Sequence, residues 1–534
     1  MRTFLLFAGA ALSAAAQPYV PAGGIVNDAS HTPPGLPSGP VARGSRFQIY
    51  GANIGPAGGV ELKTFPVATS LGGVSVTVTV GGAVANCFVV YAQAGTVRAI
   101  LPSNTPSGAG FLRVSYGGQT SNPAPITVAD HNPGLYSVNG FGYGPGLIYN
   151  YASPSALFSS LAKPARPGSV ASLLATGLGP STTDNVAPPQ QNLPYTIDIR
   201  VAGVSVSKVF AGRSTVNPGM DQVIFRLPTS FPTGCFVPVQ VVVNGFPSNL
   251  VTMAISATGA ACVDAVNPVS TTMRTGGSLV VANLTRSGYL TPIGTGTVDR
   301  GIAVGRQVPA NEFAFDRRIS LPPPGSCTAY TATGNQLIAP ANPEIGGSNL
   351  NLGDITVTDL SAGAKSLTAL PNRYESVLGA SLGADPPFLN PGTFTLQGTG
   401  AGAVGNFTVA ATEGDTPAWT NAAALTTVTR SAGASLTFTV TGTRQVYVTG
   451  GAYSLSADAS TMLLCLAPVG ATSFQIPSGI LSLLPAQPAG SGPLQGVLGV
   501  GAFQGATPAT FTATGLTFGE LFISNATFQA VKFQ

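Results

Sequence analysis

Runs that alternate apolar and polar residues recur along the chain: VTVTVGG, VRAILP and FLRVSYGGQTSN in its first part, then IDIRVAG, VIFRLP and VPVQVVVNGFPSN. A two-residue period turns one side of a segment to a core and the other to water, which is the pattern of a half-buried β-strand. Gly, Pro and Asn bound each run, as tight turns and ladder ends require. Beyond Val266, SLVVANL, FTLQGTG, NFTVAAT, SLTFTVTG, QVYVTGG and LTFGELFIS predict further strands between Gly-rich turns. No stretch predicts a helix longer than about three turns, and SGILSLLP, Ser478 to Pro485, reads as one short helical turn or a loop. The pattern predicts an all-β protein.

The first two sets of runs keep one order, GSRFQIYGANIGP leading the first and GSVASLLATGLGP the second. Two tandem β-sandwich modules are therefore expected, over 17–131 and 132–264, followed by a β-rich region over 265–534 expected to form one large sandwich. Gly118 and Gly245 precede Ser121-Asn122 and Ser248-Asn249 at matching distances and are expected to supply φ > 0 in a hairpin. Pro102 and Pro228 end their runs because proline has no N–H to give a ladder.

Composition narrows this. Charged residues make up 8% of 534, with 68 Gly, 45 Pro and 44% hydrophobic residues, against about 25% charged in an ordinary domain. Disorder needs the reverse balance. The net charge of +4 forms no basic run, so nucleic acid is not an expected partner. MRTFLLFAGAALSAAAQPY joins Arg2, an apolar run from Phe4 to Leu12 and Ala14-Ala15-Ala16, the layout of a cleavable signal peptide over residues 1–16. No later stretch is long and apolar enough to predict a membrane span. Export permits disulfides. Cys235 and Cys262, 27 positions apart around FVPVQVVVNGFPSNLVTMAIS, are the first expected pair, closing a loop worth about 3–4 kcal/mol in the chain-entropy model. Cys327 and Cys465 would then pair, leaving Cys87 as a buried thiol.

NPGLYSVNGFGYGPGLIYN, PARPGSVASLLATGLGP, QVIFRLP and GCFVPVQVVVNGFPSN resemble the IPT/TIG-like, immunoglobulin-fold modules of secreted acidobacterial proteins. Residues 132–264 look like an uncharacterised C-terminal domain of that group, and 25–131 like a diverged copy. Where the family carries a Gln-Ala-Ala-like stretch, this chain has Gly144-Pro145-Gly146-Leu147. PPGSC, FLNPGTFTLQGTG, VGNF, AWTN and SFQIP resemble a second β-rich domain of such proteins, over most of 321–519. The resemblance implies tandem immunoglobulin-like sandwiches followed by a larger β-sandwich, and brings no activity.

Candidate chemistry is sparse. GASLG, Gly379 to Gly383, has the form of a nucleophile elbow around Ser381, but both histidines, His31 and His131, precede it, whereas that fold needs one after. GAGAVG, Gly400 to Gly405, leads into NFTVAAT and not a helix, so it reads as a hairpin and not a dinucleotide loop. Neither isolated histidines nor Asp354 and Asp359 in NLGDITVTDL form a metal motif; the two aspartates read as solvated strand ends. Glu375, Asp385, Glu413 and Asp415 are the acids that could pair as in a glycosidase. Trp419, the sole Trp, sits either in a core or on a flat ligand. Phe141, Tyr143, Tyr149 and Tyr151 either join modules or offer stacking surface, with Tyr143 and Tyr149 the ligand candidates. The expectation is a secreted, non-enzymatic binding, adhesion or surface-structural protein without cofactor or metal, its partner a polysaccharide or a cell-surface protein. The alternative is a glycan-active enzyme with carboxylates in the C-terminal region.

Overall fold

Each block of the repeat occupies the same place in its own sandwich. In the first copy Arg46–Tyr50 pairs antiparallel with Thr96–Ile100, and Val74–Val80 with Gly108–Tyr116; in the second Val170–Thr176 pairs with Asp221–Arg226, and Ile197–Val201 with Gly234–Val243. These pairs belong to facing sheets whose inward residues meet. In the first copy Phe47, Ile49 and Val97 close on Val76, Val78 and Leu112, with Cys87 buried among them. The computed structural model describes residues 17–151, 157–291, 294–334, 344–383, 385–487 and 496–534, so the expected leader lies outside the described residues.

In the second copy Val204–Arg213 serves both sheets. It pairs with Ile197–Val201 as far as Val206 and with Asp221–Arg226 from Ser207 onward, its register slipping between Lys208 and Phe210. A bulge bends a strand enough to turn such a corner.

The hairpins of the two copies are alike. Gly117 and Gly118 have φ of 59° and 78°, Asn244 and Gly245 47° and 88°, the positive values that a two-residue turn matching strand twist demands. The Ser-Asn pair after each turn does more than mark it. Asn122 donates through Nδ2 to Val20 O (2.8 Å) and accepts from Val20 N (2.9 Å). Asn249 donates to Leu135 O (3.0 Å) and accepts from Leu135 N (2.8 Å). Each amide thus imitates a backbone ladder and clamps the incoming chain of its own sandwich. Ser121 Oγ and Ser248 Oγ each accept from the strand before the turn, from Val114 N and Val241 N at 3.0 Å.

Beyond a seven-residue helix, Val269–Thr275, one sheet runs continuously from Cys327–Thr333 to Phe407–Glu413. Over the stretch expected as one large sandwich its apolar side chains gather in two main clusters, one around Leu284, Phe394 and Phe407, the other around Phe438, Phe474 and Leu498, with smaller ones around Leu279 and Ile345 and around Tyr447 and Phe522. The 18-residue strand Leu516–Phe533 serves both main clusters: Leu521 and Ile523 enter the first, Val531 and Phe533 the second. A small sheet of Ala418–Trp419, Ala434–Thr439 and Ser473–Ile476 covers the second cluster. The short helix Ser478–Leu481 follows it. Both expected disulfides are present, Cys235–Cys262 and Cys327–Cys465, the latter joining directly paired strand positions.

Replacing Asn249 by Ala leaves the Leu135 amide and two carbonyls without that partner, so it should cost about 2 kcal/mol. Urea unfolding should show a lowered midpoint at unchanged slope; an unchanged midpoint would contradict the clamp.

Candidate functional site

The outward face of the second sandwich meets the small sheet of the C-terminal region, and a cleft of about 420 Å³ lies between them, a volume in the range of small-ligand sites. Strand alternation supplies both walls. On one side Arg200 and Gln240 are cross-strand partners. On the other, Leu436, Phe438 and Ile476 point inward, leaving Ser435, Ser473 and Gln475 at the surface of the cleft. Ser326, beside the Cys327–Cys465 bridge, closes one end.

Arg200 and Gln240 are set against the short helix. Gln240 Nε2 donates to Gly479 O (3.0 Å). A Cβ on residue 479 would stand 2.8 Å from Arg200 Nη1 and 2.9 Å from Gln240 Oε1, so a side chain there would push both heads from their present positions. Arg200 Nε donates to Asp198 Oδ2 at 2.7 Å. Among the described residues no acceptor meets either Nη atom, and Arg200 is the one charged side chain lining the cleft.

The aromatic residues singled out in sequence do different work. Trp419 is 7% exposed; its strand position pairs with Phe438 and faces the second C-terminal cluster, while Nε1 donates to Asn421 Oδ1 (2.9 Å). A ring sealed in this way offers no face to a ligand, which corrects its candidacy for stacking. Tyr143 is half-buried beneath residues of the C-terminal region, its ring 5.9 Å from Tyr330 and 6.2 Å from Phe315, with the Arg317 guanidinium 4.9 Å above it. Its hydroxyl donates to Glu344 (3.0 Å). Tyr149 packs at 4.2 Å on its cross-strand partner Phe158, which meets Phe313 edge-on. Both tyrosines thus cement the joint between the second sandwich and the C-terminal region. Phe141 and Tyr151 remain exposed.

Three of the four acids are held by cations, and the Asp415 side chain is exposed. Glu375 lies between Arg300 (3.0 Å) and Arg373 (2.5 Å), Asp385 meets Lys365 (2.9 Å), and Glu413 is buried against Arg444. Arg444 also donates to the Asp415 carbonyl. Asp354 is exposed, whereas Asp359, expected to be solvated, is shielded by its own turn: it accepts from the amides of Ser361 and Ala362 and from the Ser361 hydroxyl. Ser381 Oγ accepts from Thr297 N (2.8 Å) at an exposed turn. Ala401 and Val404 bridge within the hairpin between Gly392–Gly398 and Phe407–Glu413. His131 sits between the sandwiches, against Leu178 O and Asn244. Among the described residues no three His, Cys, Asp or Glu side chains form a metal-sized group, and no helix is long and apolar enough to cross a membrane.

No family model matches this chain, and no curated protein matches it. Among solved structures, it is similar to adhesin InvE of Yersinia pseudotuberculosis (12% identity, 46% of this chain and 55% of that one, TM-score 0.12). It is also similar to SGBP-B from a xyloglucan utilization locus of Bacteroides uniformis (11%, 68% and 86%, TM-score 0.16) and to the FN domains of chicken CNTN1 (10%, 68% and 95%, TM-score 0.15). The chain spans little more than half the length of the adhesin. Superpositions this loose carry no argument about it.

The cleft was missed in sequence because its walls come from separate stretches of the chain, 200–250 on one side and 325–327 and 435–480 on the other. One signal was there: in the repeated block VTVTVGG the second copy reads IDIRVAG, placing Asp198 and Arg200 where the first copy has Thr77 and Thr79, in a chain that uses charge rarely. Ala202 accordingly holds φ of 50° at the cleft margin, where the first copy has Gly81.

Glu520, also unmarked in sequence, is fully buried on Leu516–Phe533, and among the described residues no cation pairs with it. Burial pushes its pKa up to about 8, against a smaller opposing pull from the Val269 amide. Because the folded state holds this proton where the unfolded chain has released it, stability falls as pH rises from about 4.5 toward 8. Glu520→Gln should remove that dependence, melting higher than the parent at pH 8 and alike at pH 4.5. Equal melting shifts at both values would contradict an ionisation penalty.

Proposed function

We propose that this chain is an exported, non-enzymatic binding protein that engages extracellular glycan through the cleft between its second sandwich and its C-terminal region. The cleft carries the reading: serine hydroxyls, glutamine amides and a guanidinium line it beside the apolar surface of Val204, Pro468 and Pro477. Such a mixture suits a saccharide, which offers hydroxyls to polar groups and C–H faces to apolar ones. The ion pairing of Glu375, Asp385 and Glu413 supports binding without bond cleavage. The resemblance to modules of secreted acidobacterial proteins and the leader-like N-terminal sequence support an extracellular setting.

The chain from Gln17 to Gln534 should bind saturably to one or more of a panel of polysaccharides, release no new reducing ends, and leave Trp419 emission unchanged because that ring is sealed in a core. New reducing ends would replace this reading with a glycan-active enzyme. No binding to any member would leave a structural spacer.

A further inference from the structure

We infer that the cleft selects acidic saccharides, a uronate carboxylate docking on Arg200. This rests on the proposed glycan-binding function and adds the class of sugar.

Arg200 presents a fork with one edge used and one edge free. Asp198, two residues earlier on the same face of the strand, takes Nε at 2.7 Å and fixes the guanidinium plane, while among the described residues the Nη atoms have no acceptor. A guanidinium anchored in this way and open at two donors matches a carboxylate bidentately. Among the described residues no Asp or Glu lines the cleft, and the neighbouring Asp198 carboxylate is held on Nε. The carboxylate would enter past Ser435 and Ser473, whose hydroxyls have no partner among the described residues that would compete. The sugar ring beyond it would lie against Pro468 and Pro477, and Gln475 could bond its hydroxyls. Gly479 makes this geometry possible: a Cβ there would displace Arg200 Nη1 and Gln240 together.

The test uses calorimetric titration of residues 17–534 with oligogalacturonate and with alginate oligosaccharides, alongside neutral β-glucan oligosaccharides. One or both acidic ligands should bind, more weakly at raised salt, and Arg200→Gln should lose at least tenfold in affinity. Gly479→Ala, which leaves every charge in place, should lose affinity as well. The melting temperature of each variant identifies any change that comes from folding. Acidic binding that Arg200→Gln leaves unchanged, in a variant that melts like the parent, would overturn the assignment to this cleft. Binding of neutral glucans alone would overturn the acidic selectivity and leave the glycan-binding function standing. Binding of no saccharide would overturn both.

Discussion

All ten residues of the strand Gly234–Val243 are buried, and the molecule depends on that two-sided burial. Val237, Val239, Val241 and Val243 fill the core of the second sandwich. The residues between them face outward, where a sandwich standing alone would show water. There Gln240 reaches Gly479, and ahead of Val237, where the register slips, Cys235 and Phe236 join an apolar cluster with Phe315 and Tyr330 of the C-terminal region. The corresponding strand of the first copy, Gly108–Tyr116, is half-exposed on its outer side. One repeat therefore yields a sandwich with a free face and a sandwich with a covered face, and the cleft is the part of that cover that does not close.

A chain so poor in charge places much of it at joints. Asp28, 4% exposed, lies 2.8 Å from Arg46 and 3.1 Å from Arg98 and accepts from Tyr136, linking the first sandwich to the chain entering the second. Asp316 collects Arg318 and the amides of Arg318, Glu344 and Ile345. Burial raises its pKa, but these donors more than reverse it and hold the carboxyl below its ordinary value. Glu344, fixed in this way, receives Arg317 and the Tyr143 hydroxyl. Buried pairs of this kind contribute little net stability but strongly penalise any arrangement that separates the partners. They define how the units meet.

The strands and hairpin turns of the sandwiches were legible because they are local: period two, Gly-Gly or Asn-Gly, and a Pro at the ladder end. The disulfides were legible for a related reason, since few cysteines leave few pairings. The role of Ser121-Asn122 and Ser248-Asn249 was not, because a side-chain amide that stands in for a strand leaves no period. Trp419 illustrates the limit from the other side. An aromatic beside Asn suggests a ligand platform, yet the strand pairing with Phe438 turns the ring inward, and pairing across a sheet is not written in either strand alone. The cleft needed the packing of two regions and was visible only as the exchange of Thr for Asp and Arg in one block of the repeat.

Hydrogen exchange of residues 17–534 with and without a saturating acidic oligosaccharide, galacturonate or alginate according to which binds in the titration, tests the central claim most directly, because it locates the ligand without altering the protein. The account predicts slowed exchange in the segments that border the cleft, Arg200 to Val204, Gly325 to Cys327 and Ser473 to Ile480, with the free face of the first sandwich unchanged. Slowing on that free face, or none along the cleft, would contradict it.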